Sequence, residues 1–464
     1  MREIKTNIIP SKVNFVGVQK TLDLKAICVF SALGFFLDDD SYFTEQKALK
    51  PATNYTFDDQ NNITSRKEYF KWNYSPIERS LKTITEEFAT LFETILKEQS
   101  HNKKVILALS GGLDSRTQAC GLGSIGADVN SYSYSFSGGH DETLYSKKIA
   151  EVFGFPFNRW EIPNGYLWGK IEQLAQINGC YSDFTHPRQM AFIEKYASMG
   201  DVFSLGHWGD VLFDDMGVTE DLSLEQQVEV LFKKVVKKGG LELANSLWKE
   251  WNIEGSFKEY LYERLKTLLT KINIPESANA QIRAFKSLYW APRWTSVNLS
   301  VFENEKPIEL PYYDNRMCEF ICSVPEKYLA GRQIQIEYIK MRNQKLAAIT
   351  WQSQKPFNLY NYQMNKSPYN LPYRVLDKAK RVVSPKKIIQ RNWELQFLGD
   401  ENEKHLKKWL FDNMEMNEVI PKELSLDFYN KFQDTDAVYY SHSVSMLLTL
   451  SLFFRTSPND SFSL

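Results

Sequence analysis

Residues Leu107–Arg116 read LALSGGLDSR, and the interpretation of this stretch decides the fold. The β-rich run KVILALS ends in Ser110, Gly111 and Gly112, after which Asp114 and Ser115 open a helical stretch, DSRTQACGL. Glycines without a Cβ let backbone N–H groups approach an anion closely, and a helix N-terminus adds favourable partial charge. The hydroxyls of Ser110 and Ser115 supply further donors. No lysine follows the glycines, so the loop is not a P-loop of the GxxxxGK type. Asp114 should repel phosphate by itself. It makes sense as a ligand of Mg²⁺ that bridges nucleotide oxygens. The competing interpretation is a glycine turn capped by Ser and Asp. At average residue usage the pattern SGGxDS would arise by chance in about one chain in a thousand of this length.

Working outward, strands and helices alternate. VNSYSYSF is a strand and DETLYSKKIAEVFG a helix stopped by Gly154; FPFNRWEI is a strand, YLWGKIEQLAQI and RQMAFIEKYASMG are helices, and DVFSLG is a strand. This order implies an α/β fold with a parallel sheet and helices on both faces, which binds ligands at the carboxyl ends of its strands. Before it, IERSLKTITEEFATLFETILKE predicts an amphipathic helix over Ile77–Glu98. The first 75 residues or so mix short strands with one apolar helix, KAICVFSALGFF. Beyond about Asp221 the chain reads as mostly helical, broken by proline loops near Pro307–Pro311, Pro356 and Pro368–Pro372.

The 464 residues leave room for two or three domains, with 43% apolar and 24% charged residues. A net charge of −1 gives no global field for nucleic acid or an anionic membrane. The N-terminus lacks the apolar core of a signal peptide, and the apolar stretches Ala26–Leu37 and Val444–Phe454 read as buried helices too short to span a membrane. Five cysteines, an odd and sparse set, argue for reduced thiols in a cytoplasmic protein. Cys318 and Cys322 share a helix face and read as core residues, since two ligands do not make a zinc site. The basic segment DKAKRVVSPKKIIQR reads as a solvated face.

SGGLDSR resembles the pyrophosphate loop of the PP-loop ATP pyrophosphatases, and among them the asparagine synthetase-like amide formers. SYSFSGGHDETLYSKKIAEVFG is similar to that family's second strand and following helix, LGHWGDVLFDD to its acidic segment, and IELPYYDNRMCEFICSVPEKY to a stretch in which an Asp ends a loop before a helix. The resemblance runs from about Ser75 to Phe357. It implies a five-stranded parallel sheet of the adenine nucleotide alpha hydrolase type. It also implies a nucleotide site of Leu109, Ser110, Gly111, Gly112, Asp114, Ser115, Ser135, Phe136 and Gly206, with Mg²⁺ held by Asp114 and Asp210. The activity implied is ATP-dependent adenylation of a carboxylate, with pyrophosphate leaving, followed by transfer of the acyl group to ammonia or an amine. Residues 1–75 look like a shortened glutaminase domain, 76–360 like the synthetase unit and 361–464 like a helical extension. Residue 2 is Arg2 and the first 27 residues hold no cysteine, so no glutamine hydrolysis is expected.

The sequence departs from the family at three places. Val211 replaces the Glu that usually follows the metal-binding Asp, and Asp214–Asp215 replace a glycine pair. Tyr338 stands where a lysine commonly steadies the adenylation step in the family; either Lys340, two residues on, substitutes for it or that step is lost. For the acceptor end, Asp183, His186 and Arg188 in DFTHPRQ are the polar candidates. Arg188 suits a bidentate carboxylate pair and His186 suits a proton acceptor, while a helix cap is the plain alternative for His186-Pro187. Arg116 is a further candidate for phosphate or substrate, Arg293 a weaker one, and Asp314 suits a structural hydrogen-bonding role. The expected substrate is a small-molecule carboxylate such as a sugar acid of surface glycan or secondary-metabolite synthesis. Nitrogen would come from ammonia or an amine, by way of a homodimer or a separate ammonia-supplying partner. A lasso-type peptide cyclase, a tRNA-modifying enzyme and a non-catalytic nucleotide-binding scaffold remain open alternatives.

Overall fold

The computed structural model describes residues 1–376 and 388–456. The basic segment at 377–391 therefore lies mostly outside the described residues. Near the N-terminus, β1 (Arg2–Lys5), β4 (Thr53–Phe57) and β5 (Ile63–Glu68) form an antiparallel sheet in the order β1-β4-β5, and β2 (Phe15–Val16) pairs with β3 (Lys47–Ala48). Between them runs α1 (Leu24–Leu33), capped by the Asp23 side chain and ended by Gly34 at φ 78°.

The central sheet contains β6 (Val105–Ala108), β7 (Val129–Phe136), β8 (Phe157–Ile162), β9 (Val202–Ser204) and β10 (Ile308–Glu309). All its pairings are parallel, in the order β10-β9-β6-β7-β8. Val105, Ile106 and Leu107 of β6 are buried, as a strand covered on both faces requires. The fifth strand, two residues long, is the one the sequence pattern does not show. Strand β7 lies on one side of β6 and β9 on the other. The connections therefore diverge at β6, and the crevice outside the carboxyl ends of β6 and β9 is the expected ligand position.

Helix α2 spans Leu81–Gln99 and not Ile77–Glu98, because Ser80 is extended at ψ 150° and its hydroxyl accepts from Thr83 N–H. Ile84, Phe88, Phe92 and Ile95 form its buried stripe. Helices α3 (Leu113–Ser124) and α4 (Thr143–Phe153) follow β6 and β7, and α4 stops at Gly154, φ 68°. The expected helix from Tyr166 is a short 3₁₀ turn followed by α5 (Ile171–Asn178). The expected helix at Arg188–Ser198 is 3₁₀-like and broken at Phe192, φ −136°. Phe192 there packs on Tyr134 and Trp160, so aromatic packing against the sheet overrides regular helix.

The last helix runs over Ala437–Thr456, 20 residues, which corrects the expectation of a short apolar segment. By length and composition it could cross a membrane, yet 72% of its apolar window is buried within the protein. Phe453 stacks on Tyr42 at 3.6 Å, and His442 Nε2 lies 2.9 Å from the Ser31 carbonyl of α1. One apolar core runs from Ile8 and α1, through the central sheet, to this helix. All five cysteines are buried and unpaired, including Cys318 and Cys322 on the helix Asn315–Cys322.

Candidate active site

Helix α3 begins at Gly112 without any side-chain cap, so the N–H groups of its first turn are left for a ligand. The loop before it is braced internally. Ser115 Oγ accepts from Ser110 N–H at 3.0 Å and lies 3.0 Å from Ser110 Oγ, which in turn accepts from Gly112 N–H at 3.2 Å. Its outer side is closed by Gln352, whose N–H donates to Gly111 C=O at 3.3 Å and whose Cβ would lie 2.7 Å from a Cβ at residue 111. A side chain at Gly111 is excluded by that approach.

The loop opens onto a cleft of about 650 Å³. Among the sequence-predicted residues, Leu109, Ser110, Asp114, Ser115, Arg188, Gly206 and Asp210 line it. Gly111, Gly112, Ser135 and Phe136 do not; Gly111 is covered by Gln352, the cleft meets β7 at Ser133 and Tyr134, and Phe136 lies under the Arg188 guanidinium at 5.7 Å. Gly206 is pressed against α3: a Cβ there would meet Gln118 Oε1 at 2.8 Å.

Asp114 and Asp210 share this cleft, one from α3 and one from the short helix Gly209–Leu212 after β9. Burial and the nearby Asp210 charge push the Asp114 carboxyl up to about 6, although Arg332 and Gln335 pull it down. Arg332 donates to Asp114 Oδ1, and Gln335 Nε2 donates to the same oxygen at 3.1 Å. Gly209 is a further requirement, since a Cβ there would lie 2.2 Å from Asp114 Oδ1. Before it, Trp208 is held at φ 77°, a strained conformation of the kind found where a loop presents groups to a ligand.

The β9 loop is anchored from behind. Arg283, 2% exposed, donates from Nε to the Val211 carbonyl at 3.1 Å and from Nη2 to the Asp214 carbonyl at 2.9 Å. Its guanidinium pairs with Glu326, Nη2 to Oε2 at 2.8 Å. Asp214 accepts from Gly331 N–H at 2.9 Å, tying the same loop to the turn that carries Arg332. Val211 and Asp214–Asp215 thus supply backbone and side-chain tethers where a Glu and a glycine pair were expected.

Other candidates fall elsewhere. Lys340 Nζ pairs with Glu337 at 2.8 Å and lies over Tyr360, outside the cleft wall, because its helix (Gln333–Arg342) presents Arg332 and Gln335 to Asp114 from one end only. Tyr338 is buried, its hydroxyl 3.0 Å from Glu93. His186 sits behind the wall, 4.3 Å from the Trp294 ring, and burial pushes it down to about 4 against the upward pull of Asp183. Asp183 accepts from Thr185 and Ser445 and lines no part of the cleft. Arg116 is fully buried; its guanidinium holds the carbonyls of Ile349 (2.9 Å) and Thr350 (2.8 Å). Burial lowers it to about 10, and it meets no ligand space. Arg293 is buried against the carbonyls of Asp38 and Asp40. Asp314 caps the helix Asn315–Cys322 by accepting from Arg316 N–H at 3.0 Å.

Several cleft residues were missed in the sequence: Glu142, His207, Trp208, Lys286, Trp290, Trp294 and Phe302 line it, and Arg332, Gln335 and Gly209 adjust Asp114. His207 and Trp208 sit inside LGHWGD beside Asp210, a local signal. Nothing near the loop in sequence points to Lys286 or Arg332. Burial pushes His207 down to about 4, so a neutral imidazole faces the cleft at pH 7. Among the described residues no group of three or more His, Cys, Asp or Glu side chains could hold a metal ion, so a hard cation at Asp114 and Asp210 would need phosphate and water to complete its shell.

No protein-family profile matches the chain, and no curated protein matches it. Among solved structures, NMN synthetase from Francisella tularensis is similar at 14% identity, over 45% of this chain and 92% of that chain, with a TM-score of 0.23.

Proposed function

We propose that the cleft binds ATP with Mg²⁺ and adenylates a carboxylate, as the resemblance to the asparagine synthetase-like PP-loop enzymes implies. The observation that carries this is the convergence of Asp114 and Asp210 beside the uncapped start of α3 in one cleft. A substrate carboxylate oxygen attacks the α-phosphorus, forming a C–O–P link as the bond from the α-phosphorus to the pyrophosphate oxygen breaks. Ammonia or an amine then attacks the acyl carbon, the C–O bond to AMP breaks, and the amine proton passes to water. The N–H groups of the first turn of α3, Leu113 to Ser115, orient the departing pyrophosphate and stabilise its charge by preorganised dipoles. Arg188 adds a cation on the β7 side of the cleft. Asp114 and Asp210 would hold the Mg²⁺, which neutralises phosphate charge when bound.

The test is pyrophosphate release by the full chain with ATP, Mg²⁺ and pooled carboxylates, with ATP binding followed separately by calorimetry. Absence of ATP binding, together with an Asp114→Ala variant that behaves like the wild type, would sink the proposal.

A further inference from the structure

Part of the cleft lining, far from the phosphate loop in sequence, comes from one unusual segment. Residues Lys286–Thr295, KSLYWAPRWT, form a π-helix that includes Pro292, and π-turns cluster at functional sites. Lys286, Trp290 and Trp294 recur every four residues, so they share one face, and all three line the cleft. Trp208 and Phe302 extend this wall from neighbouring segments.

Lys286 is the unusual member. Its Nζ lies 5.8 Å from the Trp208 ring centre and 5.5 Å from that of Trp290, and it makes no hydrogen bond or ion pair among the described residues. Burial lowers its pKa, with Asp210 only partly opposing the shift. A cation taken out of water is costly unless an anion joins it, and π faces offset only part of that cost. In the same wall, buried Trp290 Nε1 and His207 Nδ1 have no hydrogen-bond partner among the described residues. Other cations nearby are placed differently: Arg332, outside the lining, pairs with Asp114; Arg188 of the lining lies over Phe136; and Lys237, outside the lining, lies 5.5 Å from the Trp290 ring centre and 5.7 Å from that of Trp294.

We propose that this wall is the acceptor subsite, and that it takes a carboxylate carried on a flat apolar ring, with Lys286 pairing the carboxylate and Trp208, Trp290, Trp294 and Phe302 enclosing the ring. The proposal rests on the adenylation reading and deepens it by naming the substrate class. An aromatic ring and the apolar face of a pyranose share this chemistry.

The experiment is calorimetric titration of the full chain, without nucleotide, using benzoate, glucuronate, acetate and aspartate as separate probes, alongside a titration with ATP and Mg²⁺. Benzoate or glucuronate should bind at least about tenfold tighter than acetate or aspartate, and which of the two binds distinguishes an aromatic from a pyranose source. Lys286→Met should weaken ring-acid binding at least about tenfold, while Lys286→Arg, which keeps the charge and controls for folding, should retain it within about threefold. ATP binding to Lys286→Met should stay within about threefold of wild type. Equal binding of acetate or aspartate, or ring-acid binding indifferent to Lys286→Met, overturns the proposal. If Lys286→Met instead weakens only ATP binding, the lysine serves phosphate, and the subsite falls while adenylation stands. Lys286-dependent ring-acid binding without any ATP binding supports the subsite and removes the adenylation reading.

Discussion

The two walls of the cleft are made in opposite ways. The loop wall, Leu109, Ser110, Asp114 and Ser115, comes from one short stretch of sequence and works through backbone N–H groups, small side chains and one carboxylate. The facing wall is gathered from the β9 loop and the π-helix and works through large aromatic side chains and a lysine. The first presents donors without bulk, which suits a phosphate chain. The second presents bulk with the Lys286 ammonium near the Asp210 carboxylate, which suits a substrate body. A loop that must let an anion touch its backbone is constrained residue by residue. A wall that only has to enclose an apolar shape can be assembled from distant segments.

The sharpest way to break this contrast is to loosen the facing wall from behind. Glu326→Ala leaves Arg283 buried without its carboxylate, and removal of one partner from a buried pair costs about 3–5 kcal/mol. Urea unfolding should show that loss. At concentrations where the variant stays folded, the Val211 and Asp214 carbonyls lose a fixed donor, and ATP affinity should fall with stability. If stability changes by less than about 1 kcal/mol, the Arg283–Glu326 pair is not what anchors the β9 loop.

The next test separates function from stability within the loop wall. Asp114 has a folded pKa raised from 3.8 to about 6. Between those values the native state binds more protons than the unfolded state, so this residue makes the protein less stable as pH rises through that window. Asp114→Asn removes that ionisation. It should raise the thermal midpoint at pH 7, with the gain shrinking as pH falls from about 6 to about 4. Turnover should drop on the order of a hundredfold, as expected when several kcal/mol of charge stabilisation are lost. Wild-type turnover should decline below pH 6 as the carboxyl protonates. A variant less stable than wild type at pH 7 would show that Arg332 outweighs burial at this carboxyl.

These contrasts also explain what could be seen in the sequence. The motifs SGGLDS and LGHWGD each name residues that come to line one cleft, Ser110, Asp114, Gly206 and Asp210, and the βα alternation gave four of the five strands. Strand β10, two residues long, had no period to read. Arg116 is a candidate for phosphate or substrate by its place beside the loop, yet its side chain is buried and holds the carbonyls of Ile349 and Thr350. Arg332, 218 positions from Asp114, was missed for the converse reason. Ser135 and Phe136 were off the cleft because it meets β7 two residues earlier than the motif suggested, at Ser133 and Tyr134. Composition could show that aromatics were plentiful. Which of them would meet around Lys286 depended on a π-helix that no propensity predicts.

A smaller effect is expected at Arg332. Its charge lowers the Asp114 pKa, so Arg332→Met should move the acid limb of turnover upward from about 6. The sign is fixed: losing a neighbouring cation disfavours the carboxylate, and activity at pH 6 should fall more than activity at pH 8. A uniform loss across pH would place Arg332 on the nucleotide and not on Asp114.

The smallest expected effect is at Lys340, the lysine that the sequence nominated for the adenylation step. Its ammonium is engaged by Glu337 on the same helix, 2.8 Å away, and Tyr360 lies over it, so it is directed at its own helix and not at the cleft. An i,i+3 pair of this kind contributes about 0.2–0.5 kcal/mol. Lys340→Met should therefore change the unfolding midpoint little and leave kcat and KM for ATP within about twofold. Lys286→Met in the same assay should raise KM for the carboxylate. Because both variants remove one ammonium by the same substitution, the pair asks which wall supplies the cation that acts on the substrate. A large kcat loss at Lys340 with none at Lys286 would mean that the helix Gln333–Arg342 closes over the ligand, and the facing wall would then be packing and nothing more.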